Sequence, residues 1–308
     1  MEQTQTFYNI EKIPPIPPEI IKAVNEKTLS LFLGAGVSRL VGCCGWRELA
    51  KRVLHRCLLT RSIHYTQHDR LIRDKNCKKI ITICHDVLKQ KGLEQEFYSE
   101  LESAVKGKDD LLAKQNIYKE LAGVPALHIT TNVDQHFDSF FSPERITYKA
   151  EDLDAQRIDR YKLYHIHGSI ADRNSLVFTV PQYIQRYSHP RFKEFLLRIF
   201  RENVILFLGY GMEEFELLDF LVPKFDPMKG KELKHFILLP YYRGEEDSVR
   251  LDSLYFNKLG VEIKGYEKDE HGYTQLYDVV KNWNREIMQT STALLDEMKE
   301  LEDAVDNL

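Results

Sequence analysis

Short apolar runs, each followed by helical or turn-rich sequence, constrain this chain more than any other feature. The first, Thr28-Leu29-Ser30-Leu31-Phe32-Leu33, is short, largely apolar and followed at once by glycines, which suits a strand buried in a parallel sheet. Comparable runs occupy 126–131, 161–166, 176–180, 203–208, 235–239 and 261–263. Helical patterns precede and separate them, among them 19–27 behind a run of prolines and 190–201 with its Phe192, Phe195, Leu196, Ile199 and Phe200 stripe. Such alternation predicts an α/β fold: a Rossmann-like parallel sheet with helices on both faces. Trp46, Leu49, Ala50, Val53, Leu54, Cys57 and Leu58 give a helix with one buried face. Residues 60–122 read as a polar helical insertion, and 283–308 as a charged helix. The expected organisation is one catalytic domain over 13–285, followed by a C-terminal helix over 286–308 that serves as an oligomerisation element or linker.

Composition narrows the class. The 308 residues are 43% hydrophobic and 29% charged, as in an ordinary globular protein. A net charge of −4 gives no reason to expect direct nucleic-acid binding. The longest apolar run, Val204-Ile205-Leu206-Phe207-Leu208, is far too short to cross a bilayer, and the first residues lack a basic-then-apolar leader, so a cytoplasmic location is expected. The five cysteines, Cys43, Cys44, Cys57, Cys77 and Cys84, are not spaced as CxxC pairs, and they read as free thiols without a zinc ribbon.

In a sheet of this kind, ligands bind where strands end and helices begin. Four clusters stand at such places. Gly34-Ala35-Gly36-Val37-Ser38 follows the first run; its glycines admit a phosphate close to the backbone, or simply make a tight turn. Arg39 replaces the third glycine of a dehydrogenase loop, so hydride transfer is not supported. Thr130-Thr131-Asn132-Val133-Asp134 carries Asn and Asp two apart, a spacing also common in turns and helix caps. Tyr164-His165-Ile166-His167-Gly168 places two histidines on one face of a strand, with no third residue at metal-ligand spacing. His165 reads as structural, and His167 as exposed to the crevice with an imidazole pKa near neutrality. Leu208-Gly209-Tyr210-Gly211-Met212-Glu213-Glu214 supplies a second glycine turn for the far half of an elongated ligand.

The order Gly34-Ala35-Gly36-Val37-Ser38, Thr131-Asn132-Val133-Asp134, His167-Gly168, Gly209-Tyr210-Gly211 resembles the sirtuin family, in particular the sirtuin-like NADases of bacterial antiviral defence. The likeness spans about 13–265, with Leu176-Val177-Phe178-Thr179 as a strand and Tyr183 after the histidine. Two departures argue against protein deacylation: the missing paired CxxC motifs, and a Gly-Tyr-Gly turn where a deacylase carries a Gly-Thr-Ser type of turn. The resemblance implies hydrolysis of NAD⁺ at its nicotinamide–ribose bond. Asn132 would orient the ribose and attacking water, His167 would act as base, and Asp134 would bind the carboxamide. Gly34, Ala35, Gly36 and Ser38 would hold the pyrophosphate, and Gly209, Tyr210 and Gly211 the adenosine half. No metal and no cofactor beyond NAD⁺ itself is expected. Regulation through a homo-oligomer, or through a partner or further domain that senses infection, is part of the same expectation. The competing reading is a noncatalytic sensor that binds an NAD- or ADP-ribose-like ligand.

Overall fold

In the computed structural model, the described residues are 10–211 and 235–306, with side chains described as far as 290. Its strands are β1 (Leu29–Leu33), β2 (Leu127–Thr130), β3 (Ile146–Thr147), β4 (Leu163–His165), β5 (Val204–Leu208), β6 (His235–Tyr241) and β7 (Val261–Glu267). They form one parallel sheet in the order β3-β4-β2-β1-β5-β6-β7. All five residues of β1 and of β5 are buried, as a strand covered on both faces requires. The α/β class expected from the sequence is therefore the class observed.

The helices are α1 (Pro18–Asn25), α2 (Ala35–Leu40), α3 (Trp46–Leu59), α4 (Tyr65–Ile72), α5 (Cys77–Gln90), α6 (Glu94–Ala104), α7 (Asp109–Lys114), α8 (Ile117–Ala122), α9 (Val180–Ser188), α10 (Pro190–Glu202), α11 (Glu246–Phe256) and α12 (Gln275–Asp306). Among the described residues, none is long and apolar enough to cross a membrane.

The chain divides into two compact units, Met1–Phe32, Ile117–Leu127 and Ile199–Leu308 in one, Leu33–Asn116 and His128–Arg198 in the other. In the first, β6 lies parallel to β7 from His235 opposite Val261 to Tyr241 opposite Glu267. Phe32, Phe200, Phe207 and Tyr210 pack ring against ring. The helix α12 begins at Gln275, earlier than the charged tail suggests, because Leu276, Val279, Val280, Trp283 and Ile287 are buried at helical spacing. The Trp283 indole donates to the Pro14 carbonyl at 2.8 Å, which ties this helix to the proline-rich segment.

In the second unit, α3, α5 and α6 share an apolar core that also takes in Val133, Leu176 and Phe178. Of the residues 176–180, expected as a strand, 176–179 are buried without forming one, and the exposed Val180 opens α9. Val177 donates to the His167 carbonyl at 3.0 Å, and Gln182 reaches back to the Phe178 and Thr179 amides at 2.9 and 2.8 Å. Those bonds cap α9 and consume the groups a strand ladder would need. The strand that sequence reading missed is β3, only two residues long, paired to β4 with Ile146 opposite Leu163.

Candidate functional site

The second unit brings three of the four clusters together. The helix α2 starts at Ala35, so Gly34 is its cap and the glycine turn is its first turn. Neither Gly34 nor Gly36 adopts left-handed backbone. Their contribution is therefore the absence of a side chain above the helix start. The Leu33 carbonyl, at the end of β1, accepts from the Thr131 amide at 3.0 Å and from the Thr130 and Thr131 hydroxyls at 3.3 Å. Asn132 is buried, and its Nδ2 donates to the Gly34 carbonyl at 2.9 Å. The loop after β2 thus clamps the turn after β1. A second clamp is Ser38, whose hydroxyl donates to Asp134 Oδ2 at 2.6 Å inside the structure. Asp134 Oδ1 also caps the His136 amide at 3.2 Å. The turn-capping and ligand readings of Asn132 and Asp134 are both compatible with these bonds.

The two histidines do not share a strand face, because β4 ends at His165 and His167 lies in the turn beyond it. Gly168 makes that turn possible: its φ is +84°, and a Cβ there would fall 2.2 Å from the Ser175 carbonyl oxygen. His165 is structural, as expected. Its Nδ1 meets the Asn132 carbonyl and its Nε2 meets Asp138, both at 2.8 Å. Burial disfavours its charged form, yet the Asp138 hydrogen bond and charge outweigh that and raise its pKa.

For His167 the structure corrects the sequence reading. The ring is only 3% exposed, not open to a crevice. Its pKa is not near neutrality but is pushed down to about 3, first by burial and then by the Arg186 and Lys78 charges. Its Nε2 is hydrogen bonded to the Tyr187 hydroxyl at 2.7 Å. Tyr183 packs edge-on to the imidazole at 5.1 Å and stacks with Tyr187 at 6.2 Å. Arg186, itself buried, donates to the Ile166 and Ser175 carbonyls at 2.8 and 3.1 Å. Sequence reading missed Arg186 and Tyr187. Their signal was available: Tyr183 and Tyr187 stand four apart in α9, on one face of the helix.

Among the described residues, one set of donors suits a metal. Cys43, Asp134 and His136 offer ligand atoms within 4.8 Å of one another. Each already has a protein partner: the Cys43 thiol donates to the Val105 carbonyl at 3.1 Å, Asp134 holds Ser38, and His136 Nε2 accepts from the Gly107 amide at 3.0 Å. Burial, with the Asp134 charge beside it, pushes the Cys43 thiol pKa up.

Gly209, Tyr210 and Gly211 belong to the first unit. Gly209 has a φ of +66°, and Tyr210 is buried with its ring 5.5 Å from Phe32 and 5.6 Å from Phe207. Met212, Glu213 and Glu214 lie outside the described residues.

Parallel strands that end in a glycine-led helix start, an Asn-x-Asp loop and a His-Gly turn define an α/β domain of Rossmann-like type with its polar groups gathered at strand ends. Within the chain, residues 126–263 match the family model of the SIR2-like domain. The match contains Asn132, Asp134, His167 and the Gly209-Tyr210-Gly211 turn; the Gly34-Ala35-Gly36 turn precedes it. A SIR2-like domain is consistent with NAD-related activity. No curated protein matches the chain.

Proposed function

We propose that this protein is an NAD⁺ glycohydrolase that releases nicotinamide and ADP-ribose, and that it serves antiviral defence by depleting NAD⁺. The observation that carries the reading is the Asn132–Gly34 hydrogen bond. It ties an amide side chain at one strand end to the helix start at the next, in the same unit as His167. A helix start and its glycines suit a pyrophosphate.

In the proposed reaction the C1′–N bond breaks and its electron pair returns to the pyridinium ring, so nicotinamide leaves neutral and needs no general acid. No metal or further cofactor enters this scheme. Asn132 orients the ribose and a water, and Asp134 binds the carboxamide. The water oxygen bonds C1′ and its proton passes to His167. Burial keeps His167 neutral at physiological pH, the form with a free lone pair to offer once Nε2 is released. Both His167→Ala and Asn132→Ala are expected to slow nicotinamide release, the former by roughly 100- to 10,000-fold. Release is followed by chromatography, and wild-type rates in both variants would sink the assignment.

The engagement of His167 Nε2 by Tyr187 favours a second reading, a noncatalytic sensor of an ADP-ribose-like ligand. Calorimetric binding of NAD⁺ that leaves the NAD⁺ intact, with any activator present, selects it. An unregulated NADase would exhaust its own cell, so the proposal includes control through a homo-oligomer or an infection-sensing partner. The helices within 60–122 and the C-terminal end of α12 are the proposed contacts.

A further inference from the structure

The NADase reading needs a lone pair on His167, and in the structure the Tyr187 hydroxyl stands against Nε2. Neutral imidazole has one N–H and one acceptor nitrogen. Nε2 is engaged by the Tyr187 hydroxyl at 2.7 Å. Nδ1 is buried and makes no hydrogen bond of ordinary geometry, while the Thr131 backbone favours a proton on the ring. In the tautomer with the proton on Nδ1, Nε2 accepts the Tyr187 O–H. A reacting hydroxyl or water would have to occupy the place that Tyr187 fills.

The element that carries Tyr187 is a single capped helix. The nine-residue α9 is capped at Thr179 by Gln182, and at its far end His189 is extended (φ −66°, ψ 123°) before Pro190 opens α10. Its outer side is exposed, with Ile184 65% accessible. Its inner side meets the turn around His167 through Arg186 on two carbonyls, Tyr183 against the imidazole edge, and the Tyr187 ring and hydroxyl.

We propose that Tyr187 gates His167: its hydroxyl occupies Nε2, and the imidazole can accept a proton only after α9 carries that hydroxyl away. This rests on the reading of His167 as the base of NAD⁺ cleavage. It goes further by naming what keeps that base silent, and it places control of the site on α9.

The test uses the full chain with Tyr187→Phe, which keeps the ring against Tyr183 and Phe192 and removes only the O–H. Diethyl pyrocarbonate acylates a free imidazole lone pair, and peptide mapping by mass spectrometry reads each histidine separately. Labelling of His167 is expected to rise about fivefold, the ratio that loss of one ordinary hydrogen bond produces. Nicotinamide release from NAD⁺ is expected to rise by a similar factor. Buried His165 and His235 serve as references in the same digest and keep their wild-type rates. Unchanged or slower labelling of His167 overturns the gate. Faster labelling with slower nicotinamide release also overturns it, because Tyr187 would then be positioning the base. Faster labelling with no nicotinamide release from either protein supports the gate and removes the NADase reading instead. A readout on the wild-type chain alone guards against misfolding of the variant. Long-range ¹⁵N–¹H spectra of the imidazole are expected to show the Nδ1–H tautomer, and finding the Nε2–H tautomer overturns the proposal.

Discussion

His167 and His235 are residues whose surroundings decide their chemistry. Burial lowers both, to about 3 and about 4. His235 adds a geometric reason to stay neutral, since its Nδ1 accepts from the Ile205 amide at 3.1 Å. Unfolded, each ring returns to an ordinary pKa of about 6.5. A depressed folded pKa means that the unfolded chain binds more protons, so stability is fully present above about 6.5 and falls as pH drops toward the folded values. For His235 alone the loss by pH 4 is on the order of 3 kcal/mol. His235→Asn keeps an acceptor for Ile205 without a titrating group. Urea midpoints measured between pH 7 and pH 4 should therefore fall less steeply in that variant than in the wild type. Equal slopes would show that His235 contributes nothing to acid unfolding.

At the scale of elements, the turn after β4 and the helix α9 stand or fall together. Arg186 fastens them by donating to Ile166 and Ser175, on either side of Gly168. Arg186→Met fills much of the same space but leaves two carbonyls without their donor, which is expected to cost about 2 kcal/mol. Because the Arg186 charge helps hold the His167 pKa down, the same variant should also raise that pKa, as read by NMR titration. Loss of stability without movement of the His167 titration would mean that the charge contribution is misjudged. Sequence reading named only Tyr183 within α9 and placed no helix there. The bearing of α9 on His167 arises across a gap of twenty residues, which helical periodicity does not report. The run at 176–180 misled in the opposite direction. Apolar residues bury equally well in a loop whose amides are taken by a cap and a neighbouring carbonyl, and hydropathy does not distinguish the two.

For the whole molecule, the proposed activity predicts a binding signature independent of turnover. The slow variant His167→Ala should still bind NAD⁺, and a ligand at a hundredfold over its Kd adds about 2.7 kcal/mol to stability. Thermal unfolding with excess NAD⁺ should then rise by several degrees, while a duplex DNA at equal concentration leaves it unchanged. No rise with NAD⁺ or ADP-ribose would remove both the enzyme and the sensor readings.

The strand–helix alternation, read from the sequence alone, determined the α/β class, because buried parallel strands need continuous apolar residues and their crossovers need amphipathic ones. It also determined that the Gly34 turn, Asn132, Asp134 and His167 stand at strand ends, since each follows an apolar run directly. Only the tertiary structure decided what those side chains touch. The clamp of Asn132 on Gly34, the Ser38–Asp134 bond and the Tyr187 hydroxyl on His167 join residues distant in the chain or on separate elements. The same holds for the state of His167, which depends on burial and on charges brought in by α5 and α9. An imidazole pKa is a property of surroundings, and those surroundings exist only once the chain has folded.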